Sequence, residues 1–430
     1  MTLSTAPPRE PDRAATDAAE LAGTVDAWLA EAWDPDVTVR EWWRRVAAAR
    51  WTAPTLPWDC GGRGMTPELE AVVRARFARC GAADPPGGAG RTLAAPILAR
   101  HGTDDQRHRF LPRILDGTEA WCQLFSEPGA GSDLAGLATR ATPNGTAWVI
   151  TGQKVWTSLA QYADWGLLLA RTDPAKPKHR GITCFALPML QLGIEIRGIR
   201  DMVGHTAFSE VFLDGARVPG DCVVGDVDDG WRVANAILSV ERSAFGDQSL
   251  FSAAVPGTTA GDLDRRAAAF AGVSDPHEFA TVSPTTVDLL QRVARDRRRS
   301  SDAVLRQELA RLWTTVELQR YGRLIGTAGP DGLEQRPLAN VAKLLSNRAL
   351  RQARHVASCL LGPDLTGGGP DAATAAFFRD LVLYSPAPAI YGGTDEIQRN
   401  IIAERFLGLP REPGPNDTPF AALRPNGTEQ

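Results

Sequence analysis

Glu241 is the residue whose setting most suggests chemistry in this 430-residue chain. From Trp231 onward the apolar positions Ala234, Ile237, Leu238, Ala244 and Phe245 recur at helical spacing. Glu241 falls four residues after Ile237, three after Leu238 and four before Phe245, on the apolar face. A carboxylate so placed costs free energy unless it is paired or used. Burial raises a carboxyl pKa toward neutrality, which suits a general base. A structural ion pair with an arginine of another helix is the competing reading. Arg242, beside it, either shapes a site or holds the helix.

Other reactive patterns are weaker. Gly129-Ala130-Gly131 lacks the third glycine and the βαβ frame of a dinucleotide fingerprint, and reads as a tight loop. The six histidines show no HxxxH or HExxH spacing, and the six cysteines form no CxxC pair, so no metal site is expected. No GxSxG elbow occurs. The cysteines read as small core residues of a reducing cytoplasm. The chain carries 47 Lys+Arg against 51 Asp+Glu, a net charge of -4, which argues against a dedicated nucleic-acid binder. No apolar run reaches the ~18 residues of a membrane span, and Met1 to Asp17 has no signal-peptide core. A soluble cytoplasmic protein is the expectation. Positive charge is almost all arginine; the lysines are Lys154, Lys176, Lys178 and Lys343.

The elements that must position Glu241 fall into three blocks. Helical spacing runs from Ala18 to about Ala49, and Thr66-Pro67 starts another helix as N-cap and first position. Leu93 to Gly117 reads as two short helices. From Trp121 the texture changes to short β-rich runs: Trp148 to Trp156, Gly166 to Ala170, Gly181 to Leu187 and Glu210 to Leu213. After Gly230 helices return, over 287–327, 335–362, 371–383 and 395–407. Strands gathered in one block imply an α+β fold with a separate β domain, not an alternating doubly wound sheet. The expected organisation is a mobile leader at 1–20, an N-terminal helical domain at 21–120, an antiparallel β domain at 121–227, a C-terminal helical bundle at 228–411 and a loose tail at 412–430.

Three separated segments carry a resemblance. They are Gln123-Leu-Phe-Ser-Glu-Pro-Gly-Ala-Gly-Ser-Asp133, Gly152-Gln-Lys-Val-Trp-Thr-Ser158 and Tyr391-Gly-Gly-Thr-Asp-Glu-Ile-Gln398. Together, from about Trp51 to Pro410, the chain resembles the acyl-CoA dehydrogenase family of flavoproteins, and within it a large actinobacterial-type branch. The resemblance implies a helical domain, a middle β domain and a C-terminal four-helix bundle, with FAD between the last two. It implies FAD contacts from Gln123, Phe125, Ser126, Gly131, Ser132, Trp156, Thr157, Ser158, Thr394 and Glu396, and substrate contacts from Ser132, Ser239 and Arg242. The reaction it implies is α-proton removal from an acyl-CoA with β-hydride transfer to flavin, giving a 2-enoyl thioester. Many members carry the base as a glutamate in Tyr-Glu-Gly-Thr; here that place is Gly392, whose backbone N–H remains as a donor to the thioester oxygen. The family's other solution places the base in Leu-x-x-Glu-Arg, which Leu238-Ser-Val-Glu241-Arg242 matches.

Two partner-facing features depart from the family. Its Arg-x-x-Phe-Gly region is Ala294 to Asp302 here, with Arg295, Arg297, Arg298 and Arg299 but no Phe-Gly, and Cys359 replaces a glutamine. The implied partners are an acyl-CoA or other acyl thioester, an electron-transfer flavoprotein, and either further copies in a homodimer or homotetramer or a paralogue in a heteromer. A non-catalytic or half-site subunit of such a heteromer, and a flavin-dependent oxidase or monooxygenase on the same fold, remain as alternatives. His205, in Gly204-His205-Thr206, lies near the expected substrate entrance.

Overall fold

A computed structural model describes residues 17–244, 253–273, 280–327, 338–367, 372–411, 414 and 417–423. Most of the expected leader and part of the tail lie outside them. The first block holds α1 (Ala18–Ala32), α2 (Val39–Ala48), α3 (Pro67–Cys80), α4 (Ala95–His101) and α5 (Asp104–Leu115). The continuous pattern expected over 18–49 is two helices, because Pro35 cannot continue a helix and Thr38 caps the second by accepting from Glu41 N. Trp28, Trp42 and Phe77 pack there with ring centroids 5.6–6.1 Å apart, and the Trp42 indole donates to Ala83 O at 2.8 Å. Trp42, Trp43 and Trp51 are buried in this core.

The second block is a single sheet. It comprises β1 (Trp121–Leu124), β2 (Arg140–Asn144), β3 (Ala147–Ser158), β4 (Trp165–Arg171), β5 (Ile182–Pro188), β6 (Ile194–Ile199), β7 (Phe208–Pro219) and β8 (Val223–Val224). The order is β6-β7-β3-β2-β4-β5-β8, with β1 paired to β4. Most pairs are antiparallel; β1 runs parallel to β4, and so does the start of β2. The β4 and β5 side chains are buried on both faces, and both strands read as unbroken apolar runs.

The third block holds α6 (Gly230–Ala244), α7 (Pro284–Asp296), α8 (Ala303–Thr327), α9 (Leu338–Leu361), α10 (Ala372–Tyr384) and α11 (Asp395–Ile401). The helix expected over 287–327 is broken where Arg298 takes φ +54 and Asp302 accepts from Val304 N and Leu305 N, each at 3.1 Å. Leu290, Leu312, Leu350, Val356 and Phe378 form the core of this block. Within it, residues 253–270 cross to the N-terminal helices. Val39 N donates to Arg265 O, Ala267 N donates to Val37 O, and Leu263 and Phe270 join the tryptophan core. Part of the expected tail also docks: the Arg171 guanidinium lies 3.9 Å from the Phe420 ring centroid. Cys60, Cys122, Cys184 and Cys222 are buried as expected, and burial pushes Cys184 up to about 12, whereas Cys80 and Cys359 are exposed.

The start of α6 has no room for a side chain. A Cβ on Gly230 would lie 2.6 Å from the carbonyl carbon of Thr183, on the β5 strand. Gly230→Ala should therefore push α6 off the sheet, at about 1–3 kcal/mol. Thermal melting checks the stability loss, and altered reactivity at Glu241 checks the displacement.

Candidate active site

The first two motif segments share one cleft, and the Glu241 charge is felt by the third. Gln123, in the middle of β1, has a polar face toward α6, and its Nε2 donates to Glu241 Oε2 over a long 3.4 Å contact. The inner side of α6 is formed by the fully buried Val233, Ala234 and Ile237, so the next turn carries the half-buried Glu241 inward. Phe245 and the Arg242 side chain lie outside the described residues. Ser239 is exposed on α6.

The loop after β1 is held by a buried ion pair. Lys154 on β3 is fully buried, and its Nζ donates to Glu127 Oε1 at 2.8 Å and to Phe125 O at 3.0 Å. Glu127 also accepts from Ala138 N at 2.7 Å and Thr139 N at 2.9 Å. Burial pushes the Glu127 carboxyl up, but the Lys154 ammonium and these N–H donors outweigh it and hold it below its usual range. Val155 N donates to Ser126 O, which ties the loop to the same strand. The Phe125 ring is core, so that residue offers the site its backbone. Gly131 and Ser132 are exposed, and their N–H groups have no partner among the described residues. A Cβ at Gly129 or Gly131 would meet nothing within 4 Å, leaving open space before the loop.

Trp156 stands on the opposite wall. Its φ is +61, the β3–β7 register slips between Lys154 and Thr157, and its indole is 60% exposed. A bulky residue in the left-handed region at a bulge is a strained placement that re-aims a side chain. Trp156 and Ser158 share the cleft wall, whereas Thr157 turns inward and is buried, its Oγ1 without a partner among the described residues. Of the three consecutive residues expected to flank a flavin, alternation along the strand thus brings two into the cleft.

The C-terminal motif is pinned to α9. Lys343 of α9, also fully buried, donates from Nζ to the carbonyls of Tyr391 and Gly393. Gly392 has φ +62 and Gly393 φ +84; a Cβ on Gly393 would lie 2.7 Å from Gln398 Nε2. The Gly392 N–H has no partner among the described residues. Thr394 caps α11 by accepting from Ile397 N, and Asp395 is buried, accepting from Asn347 and Arg351. Glu396 is exposed and pairs with Arg399. The Tyr391 ring is 36% exposed, but its phenol is withdrawn against Tyr384 and Glu241. Burial, the facing Tyr384 and the Glu241 charge push that phenol well above the usual tyrosine range.

Lys154, Glu127, Lys343 and Tyr391 were not among the residues singled out from sequence. One signal was available: in a chain this rich in arginine, two of the four lysines are the fully buried ones that pin the motif loops. His205 sits in a loop tied back to Asp201 and does not line the cleft. In the arginine run, Arg299 donates to Cys359 O at 2.6 Å and Arg297 pairs with Asp364, while Arg295 and Arg298 are exposed. No group of three or more metal-ligating residues occurs among the described residues. No helix among them is long and apolar enough to cross a membrane.

Comparison with known proteins places this geometry. Residues 14–118, 122–216 and 280–407 match the models of the acyl-CoA dehydrogenase N-terminal, middle and C-terminal domains. A relative named acyl-CoA dehydrogenase IpdE1, from Mycobacterium tuberculosis, is 40% identical over 376 residues, spanning 87% of this chain and 88% of that one. The solved ChsE4-ChsE5 complex from Mycobacterium tuberculosis superposes with TM-score 0.67 at 27% identity, covering 94% of this chain and 100% of that one. A structure described as the Tcur3481-Tcur3483 steroid ACAD gives TM-score 0.69 at 25% identity, covering 93% and 99%.

Proposed function

Because the chain belongs to the acyl-CoA dehydrogenase family, oxidoreductases acting on the CH–CH bond of acyl thioesters, we propose that it converts an acyl-CoA to its 2-enoyl thioester with Glu241 as the base. The observation that carries this reading is the contact of Glu241 with Gln123 at 3.4 Å, which brings the inner side of α6 to the first motif segment.

Members of the family are flavoproteins with FAD, and the residues present here suit one. An exposed indole and Ser158 make one wall. The exposed Gly131 and Ser132 of the loop after β1 can approach a ring edge without side-chain bulk. When bound, FAD supplies a hydride acceptor for the β-hydrogen. The remaining work falls to the chain itself. Glu241 takes the α-proton, held by Gln123. The Gly392 N–H, without a partner among the described residues, is a donor for the thioester oxygen as negative charge develops there. Tyr391 stays a neutral phenol beside Glu241 and adds no second charge. Electrons would leave to an electron-transfer flavoprotein, and a cytoplasmic setting fits this chemistry.

A second reading has its own support. Arg297 and Arg299 are spent on Asp364 and Cys359 of their own chain, in the region where family members reach a partner's FAD. Two of the structural relatives are named as pairs of different chains. On this reading the chain shares its site with a paralogue. Purified alone, the protein is expected to be yellow and to bleach anaerobically with an acyl-CoA. A colourless protein that gains FAD only with a co-expressed paralogue supports the shared site instead. Fast reoxidation by oxygen with a hydroxylated product would assign it to the oxidase or monooxygenase class.

A further inference from the structure

Arg171, the last residue of β4, is 2% exposed, and its guanidinium holds two stretches of chain by their backbone. Nη2 donates to Ala135 O at 2.7 Å and to Leu137 O at 3.3 Å, in the turn that follows the Gln123–Asp133 motif. Nη1 donates to Lys178 O at 2.9 Å and to Arg180 O at 3.1 Å, in the loop between β4 and β5. Asp133, the last residue of the motif, ties the same two stretches together. Lys178 Nζ donates to both of its carboxylate oxygens at 2.9 Å.

The cover on this clamp comes from the C-terminal segment, which the sequence presents as loose tail. The Phe420 ring centroid lies 3.9 Å from the Arg171 guanidinium carbon. Phe420 N donates to Lys176 O at 2.8 Å and Ala421 N to Pro174 O at 2.9 Å, and Pro419 bridges antiparallel to Pro177. The segment thus lies along the β4–β5 loop and sets one aromatic face on the guanidinium. Such a cation is drawn to the ring's negative face, and more strongly when water is excluded. Burial pushes Arg171 down to about 10, so the group stays charged at neutral pH. Hydrogen bonds from that charge to four carbonyls are strong only while the site is dry. With the ring removed, water reaches the guanidinium and competes for the Ala135 and Leu137 carbonyls.

We propose that Phe420 is a positioning residue: seated on Arg171, the Pro419–Leu423 segment holds the Gly131–Leu137 stretch in the form that meets the flavin. This rests on the reading of Gly131 and Ser132 as part of the flavin site. Neither Phe420 nor Arg171 lines the cleft, so the effect passes through the loop.

The test compares Phe420→Ala and Phe420→Trp with the parent, with the paralogue present if FAD binding requires it. Phe420 is half-buried at the surface, and the FAD-free alanine variant should melt close to the parent. The first readout needs no cofactor. Amide hydrogen exchange in the FAD-free alanine variant should quicken over residues 133–139, while α8 and the tryptophan core exchange as in the parent. The second is the Kd for FAD, followed by flavin fluorescence. It should rise about three- to tenfold in Phe420→Ala, the worth of one cation–π contact, and return toward the parent value in Phe420→Trp. Unchanged exchange over 133–139, an unchanged Kd, a tryptophan variant no better than alanine, or a parent that takes up no FAD overturns the proposal. The expected shifts in a protein that no acyl-CoA bleaches leave the positioning role standing and defeat the dehydrogenase reading.

Discussion

Glu241→Gln is expected to remove acyl-CoA-dependent bleaching of the flavin while leaving the protein folded and yellow. The substitution keeps the shape of the side chain. Its amide oxygen can still accept from Gln123 Nε2, so the contact from β1 to α6 is retained. What it removes is the capacity to take a proton. A positioned base contributes about 10²–10⁴-fold, so the loss should fall in that range. The measurement is anaerobic stopped-flow bleaching alongside FAD content. Bleaching at the parent rate would remove Glu241 from its role and return it to a structural pairing.

The second large effect is structural. Lys154→Met leaves Glu127 ionised and buried without its cation. Removing one partner of a buried pair costs about 3–5 kcal/mol, because the other charge stays desolvated. The Phe125–Ser132 loop loses its anchor together with the stability, so FAD retention should fall too. The double change Lys154→Met with Glu127→Leu should recover much of the melting temperature, since an apolar pair needs no compensation. It should not recover FAD retention, because the Ala138 and Thr139 N–H groups then lose their acceptor.

The pH dependence carries the same signature. Glu127 titrates below its usual value near 4.5 in the folded protein, so its contribution to stability is present above that value. It is lost as pH falls through the lower folded pKa. The deficit of Lys154→Met relative to the parent should therefore narrow on acidification, where a protonated Glu127 no longer needs a cation. A deficit that stays constant through the acid limb would falsify the assignment of the stabilisation to this pair.

The architecture was largely legible before any coordinates. Helical periodicity and Thr66-Pro67 are local signals, and local signals decide elements. The failures are local conflicts as well. Pro35 inside an otherwise helical stretch and Asp302 capping the helix behind the arginine run break what periodicity alone reads as continuous. The short strand β6 was missed: it is an edge strand half open to solvent, without the apolar run that marks β4 and β5. The crossing of residues 253–270 to the N-terminal helices left no mark in sequence, because a few anchors such as Leu263 and Phe270 in irregular chain have no period.

The amino-acid order alone determined which residues can act. The helical repeat puts a carboxylate at Glu241 on an apolar face, and a small-residue loop follows Gln123. It also places a glycine, without a side chain, at Gly392. The tertiary structure alone decided which of them meet. Gln123 and Glu241 are 118 residues apart, and Lys343 reaches Tyr391 across 48. Those pairings depend on sheet order and on how α6 and α9 settle against their neighbours. The same packing turned Thr157 away from the cleft and re-aimed Trp156 into it through a bulge. Local pattern reports the preference of one segment for a face; only the assembled interior specifies what that face confronts.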